Sequence, residues 1–87
     1  MYNTIHFSKA CALRVGNILG INWRKIDFNQ FYIGINVELE HGTRYGAVTN
    51  VTNNDPITTG RIALAHLIEI PDYYTRLEKM ESKANRK

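Results

Sequence analysis

Asp55-Pro56-Ile57-Thr58-Thr59-Gly60-Arg61-Ile62-Ala63-Leu64-Ala65-His66-Leu67-Ile68-Glu69-Ile70-Pro71 carries its own start and stop signals. Asp55 is an N-cap residue, and Pro56 suits the first helical position, where an amide has no intrahelical partner in any case. Pro71 lacks an amide, so the helix must kink or restart near Ile70. Between these limits, Ile62 to Ile68 is apolar nearly all round, the pattern of a central helix. A central helix needs covering elements, and the flanking sequence supplies them.

Downstream, Tyr73, Leu77 and Met80 form a narrow stripe on a fourth helix with Asp72 in its first turn, and the tail from Glu81 is expected to fray. Upstream, Asp27 followed by Gln30 resembles a capping box. Phe28, Phe31, Tyr32, Ile35 and Leu39 then mark one face of a helix that runs to about His41 and stops at Gly42. Gly34 lies inside it and would admit close approach by a neighbouring helix. Phe7, Cys11, Val15, Ile18 and Leu19 give a first helix from about Ser8 to Leu19, with Gly20 as its stop. Trp23, in the connector that follows, is expected in the core. The expected fold is therefore all-α: one helical bundle of about four helices over residues 1–80, with a basic tail over 81–87.

The segment Thr43 to Asn54 is longer than a helix hairpin needs. Its Thr and Asn side chains can satisfy its own backbone, as in an Ω-loop, or face a ligand. Asn50, Thr52, Asp55 and Tyr74 are the ligand or interaction candidates. Asn50-Val51-Thr52 fits the glycosylation sequon but reads as an ordinary Asn/Thr loop, because Met1 to His6 lacks the basic start and apolar run of an export signal.

A chain of 87 residues with 44% hydrophobic composition can build one core. Its single cysteine, Cys11, excludes a disulfide framework and a Cys-rich zinc module. Cys11 occupies an apolar stripe, where a thiol is inert. No stretch approaches the roughly 20 apolar residues of a membrane span, so the expected location is intracellular. Net charge is +3, and all of it accrues from Arg76 onward, through Arg76, Lys79, Lys83, Arg86 and Lys87 against Glu78 and Glu81. That distribution weakens general nucleic-acid binding and leaves a basic tail able to touch an anionic partner.

The chemistry concentrates in two short motifs. Glu38 and His41 share the buried face and border of the second helix, while Glu40 points the opposite way; His66 and Glu69 lie together on the third. If the two helices pack antiparallel, His41 lies level with His66 and Glu38 with Glu69. Two imidazoles and two carboxylates suit Fe, Mn or Zn. Di-iron bundles use this spacing with further glutamates, so a complete dinuclear site would need a second subunit. The same residues admit a second reading: His66 hydrogen-bonded to Glu38, a polar contact that fixes helix register. Tyr74 is expected partly exposed or bonded to a carboxylate such as Glu69, and His6 solvated. No Gly-rich phosphate loop, serine elbow or His-Glu-x-x-His motif occurs.

Val37-Glu38-Leu39-Glu40-His41-Gly42, Thr49-Asn50-Val51-Thr52-Asn53-Asn54-Asp55-Pro56, Ile62-Ala63-Leu64-Ala65-His66-Leu67 and Ile70-Pro71-Asp72-Tyr73-Tyr74-Thr75-Arg76-Leu77 together resemble a family of small proteins of unknown function from bacteriophages, large DNA viruses and bacteria. The resemblance spans roughly Ile21 to Met80. It implies a small helical protein, viral or phage-related, in the host cytoplasm or in a virion. The small size and the tyrosine-rich fourth helix give the leading functional expectation, an interaction or virion-associated structural module with a protein partner or as a homo-oligomer. Relatives tend to read Asp-Pro where this chain has Tyr45-Gly46, Asn at Ile68 and Lys at Arg61. The first difference takes a carboxylate away from the loop; the other two leave Glu38, His41, His66 and Glu69 untouched.

Overall fold

Three of the four helices start where a side chain takes up a free amide of the first turn. The computed structural model describes residues 5–85. Helix α1 spans Lys9–Ile18, and the Ser8 hydroxyl accepts from the Cys11 amide at 3.1 Å. Helix α2 spans Phe28–Val37 behind Asp27, which accepts from the Gln30 amide at 2.9 Å. Helix α3 spans Pro56–Glu69, where the Thr58 amide and hydroxyl bond Asp55 and hold its carboxyl below the usual carboxylate range. Helix α4 spans Tyr73–Asn85. Among the described residues there is no strand, so the fold is the all-α domain that the periodicity implies. No helix among them is long and apolar enough to cross a membrane.

The boundaries differ from expectation at two places, the end of the second helix and the end of the fourth. The end of the second helix tightens into a 3-10 turn, Glu38–His41, and a second turn, Thr43–Tyr45, follows it. The break expected near Ile70 is present: Ile70, which precedes proline, is extended, and the chain restarts as α4 two residues after Pro71. Helix α4 continues beyond Glu81 to Asn85, whereas Arg86 and Lys87 lie outside the described residues.

The core is built from Phe7, Ala12, Val15, Phe31, Ile35, Leu39, Ala63, Leu67 and Tyr74. Trp23 and Cys11 are half-buried against it rather than enclosed, and Trp23 stands edge-on to Phe28 and Phe31 while its indole N–H donates to Asn17. Helix α3 is less enclosed than its composition suggests, because Ala65 and Ile68 face outward. Asn36 sews the chain ahead of α1 to α2: its side chain accepts from the Phe7 amide at 2.7 Å and donates to the Phe7 carbonyl at 3.0 Å.

Two expectations for α4 are corrected together. Tyr74, not Tyr73, is the enclosed tyrosine, and Met80 is 59% exposed instead of completing an inner stripe. The two tyrosines are about 100° apart on the helix, so the wheel alone cannot choose between them. Gly34 makes the choice. The Tyr74 ring lies directly over it, in space a Cβ would occupy.

Replacing Gly34 by Ala therefore tests the docking of α4. Ala gains roughly 1 kcal/mol of helix propensity over Gly, but it collides with a buried ring, and such overpacking costs about 1 to 3 kcal/mol. A net loss of up to about 2 kcal/mol in thermal or urea unfolding is expected. A variant more stable than the parent would show that the ring does not rest on Gly34.

Candidate functional site

The 3-10 turn after α2 carries Glu38 into the core, where it is 2% exposed. A carboxylate so placed must be hydrogen-bonded to persist. Tyr74 donates its hydroxyl to Glu38 Oε2 at 2.6 Å, and His66 Nδ1 lies 2.9 Å from the same oxygen and 3.1 Å from the tyrosine hydroxyl. His41 Nε2 approaches the other oxygen, Oε1, at 3.3 Å. One carboxylate thus ties the end of α2 to α3 and α4. Among the described residues no buried side-chain nitrogen or oxygen lacks a partner.

The ring stack around this carboxylate fixes its donors. Tyr73 lies flat on His66, with centroids 4.2 Å apart and planes 16° apart, and Tyr74 meets both rings edge-on. With Glu38 accepting, Nδ1 carries the shared hydrogen and the His66 tautomer follows from that contact. Burial, and next the hydrogen bond to Glu38, push the Tyr74 phenol far above the usual tyrosine range, so it remains a donor. The cluster is chemically a clamp: a buried acceptor saturated by oriented donors.

The four residues proposed as a metal set are not all brought together. Glu38, His41 and His66 converge, with His66 level with Glu38 rather than with His41. Glu69 is exposed, and no hydrogen bond or ion pair among the described residues joins it to them. Glu40, expected to point away, comes within 3.6 Å of His41 Nε2 because the 3-10 turn alters the helical angle. Among the described residues, no group of three or more His, Cys, Asp and Glu side chains is arranged to hold a metal ion. Tyr74 bonds Glu38 and not Glu69, correcting that expected pairing. Exposed His6 meets the Tyr32 hydroxyl at 3.0 Å.

The loop candidates are engaged with their own loop. Asn50 accepts from the Asn53 amide at 2.7 Å, buried Thr52 accepts from the Asn54 amide at 3.1 Å, and Asp55 caps α3. The amides of Val51 and Thr52 both donate to the His41 carbonyl, at 2.6 and 3.1 Å, which closes the loop onto the turn bearing Glu38. Asn54 ties the two ends a second time through the Thr43 amide and hydroxyl. Its side chain fills the space beside Gly42 that a Cβ would need. Asn53 and Asn54 both adopt positive φ, which asparagine tolerates better than most residues.

Gln30 is the contributor that sequence reasoning missed. Read as half of a capping box, it sends its side chain to α4 instead, accepting from the Tyr74 amide at 3.1 Å and donating to the Thr75 hydroxyl at 2.7 Å. Its place one turn ahead of Gly34, on the same side of the helix, was the available signal.

Tyr74→Phe keeps the ring and deletes one hydrogen bond to a carboxylate, so a loss of about 2 kcal/mol is expected. Tyr73→Phe, whose hydroxyl makes no contact of this kind among the described residues, should lie within about 0.5 kcal/mol of the parent. Both are read from urea unfolding. The phenol also sets an alkaline limit. Because Tyr74 is raised in the folded state above its ordinary 10.0, the unfolded chain releases that proton first. Stability contributed by the protonated phenol is complete below about pH 10 and falls as pH rises beyond it, by up to about 1.4 kcal/mol per pH unit. Tyr74→Phe should flatten that alkaline slope, and an unchanged slope would contradict the buried phenol.

No curated protein and no solved structure matches the chain. A family described as a protein of unknown function, DUF5661, matches residues 12–83. That span takes in the Glu38 clamp, the closed loop and nearly all of α4, so the chain belongs to the DUF5661 family.

Proposed function

We propose that this chain is a small helical interaction module and that the 43–51 segment is the surface it offers to a protein partner. One observation carries the reading: Tyr45, Val48 and Val51 are 67%, 100% and 78% exposed on a loop whose two ends are tied down. Large apolar side chains left exposed on one short loop favour contact with another protein. The ordering cost of such a contact is reduced when the loop is already closed. Arg44 is the only charged residue between Gly42 and Asn54, so little charge must be stripped of water there. A virion-associated structural role, which the phage and virus resemblance implies, fits this reading.

The test compares the parent chain with Val48→Asp and Val51→Asp. Sedimentation velocity over a concentration series reads self-association, and co-precipitation from the native host reads other partners. Either substitution should weaken the association about tenfold or more, with unfolding free energy within about 0.5 kcal/mol of the parent. A strictly monomeric chain that retains no partner in a Val48-dependent way would refute the proposal.

A further inference from the structure

Helix α4 segregates its charge more sharply than the sequence suggests. At about 100° per residue, Arg76, Lys79 and Lys83 fall within an arc of about 60°, whereas Glu78 and Glu81 lie on the far side. Tyr74 is enclosed and Tyr73 and Leu77 are half-buried against the core, so the basic arc is left facing outward. The side chains of Asp72, Thr75, Arg76, Lys79, Met80 and Lys83 line an open groove of about 500 Å³ along it. Asp72 accepts from Arg76 Nε at 2.7 Å, which orients the guanidinium and holds the Asp72 carboxyl below its usual range. The arc therefore carries three cations and one anion, while the chain ahead of Asp72 is close to balance, with six cations and five anions.

We propose that this face of α4 binds the phosphodiester backbone of nucleic acid without reading its sequence. From Arg76 to Lys83 the helix rises about 10 Å, the axial length of about three phosphates in one strand of a duplex. The cations thus form a line matched to a line of phosphates. An anionic membrane would require an apolar flank beside the cations, and Met80 alone provides one, because Tyr73, Tyr74 and Leu77 pack inward. An acidic polypeptide would add anchors seated in enclosed pockets, whereas this groove is open along the helix. The inference is independent of the loop, which lies elsewhere in the chain and carries different chemistry.

Fluorescence anisotropy of the full chain with a labelled duplex of about 20 bp and mixed sequence tests it. Binding is expected with a dissociation constant of about 1 to 100 μM at moderate salt, weakening about 10- to 40-fold between 50 and 200 mM NaCl, as two to three neutralised phosphates require. Lys79→Gln with Lys83→Gln should weaken binding at least about tenfold at low salt and lower the salt slope by about two. Asp72→Asn should tighten it severalfold, because one anion leaves the groove. Circular dichroism confirms that each variant is folded. Absent binding, binding unaffected by the double lysine substitution, or equally tight binding to polyglutamate or to phosphatidylserine vesicles would each overturn the proposal.

Discussion

The buried Glu38 carboxylate is the constraint on which the arrangement of the helices turns. A domain of this size has no disulfide to hold it, and its apolar core alone tolerates small slips of one helix along another. A carboxylate at 2% exposure does not tolerate them. It must keep its donors, and those donors come from α3 and α4, whereas the acceptor sits at the end of α2. Directional bonds to one oxygen therefore select one register among the many that hydrophobic burial would allow. Gly34 and Gln30 serve the same register, one by leaving room for the Tyr74 ring and the other by taking its amide.

The clamp also explains how a long loop can be held in one shape. Glu38 and His41 begin and end the same 3-10 turn, so fixing the carboxylate fixes the direction of the His41 carbonyl. That carbonyl receives the amides of Val51 and Thr52. The loop is thus anchored to the turn that carries the clamp's carboxylate, and Thr43, Asn50, Thr52, Asn53 and Asn54 bond within the loop. Its apolar side chains remain outside, with no core left to receive them. A loop whose polar groups are internally satisfied and whose large apolar groups are exposed has its binding capacity in apolar contact.

The helices were legible because their limits are written in residues with one strong local preference: Asp55-Pro56, Pro71, Gly20 and Gly42. The Glu38 to His66 contact was legible as one of two readings, since both residues fall on facing stripes. Glu69 misled because sharing a helix with His66 says nothing about whether the neighbouring helix reaches it. The 3-10 turn was invisible to a wheel drawn at a uniform angle, and it is what moved Glu40 toward His41. The order of Tyr73 and Tyr74 was beyond the wheel for a different reason. It depends on Gly34, a residue 40 positions away whose contribution is the absence of a side chain.

The distribution of charge follows from the same geometry. Helix α4 uses Tyr74 with Tyr73 and Leu77 to dock, so its remaining arcs are free to carry charge without disturbing the core. Opposite charges scattered around that helix would have given a surface pairing with itself, each pair worth about 0 to 1 kcal/mol. Instead only Asp72 stands with the cations, and it directs Arg76 rather than leaving it loose. The loop, by contrast, is almost uncharged. Two surfaces of opposite character can coexist on so small a body because neither contributes to the core. The clamp that excludes them from it depends on a single carboxylate, so loss of Glu38 would disturb both at once, while changes confined to either surface would leave the other intact.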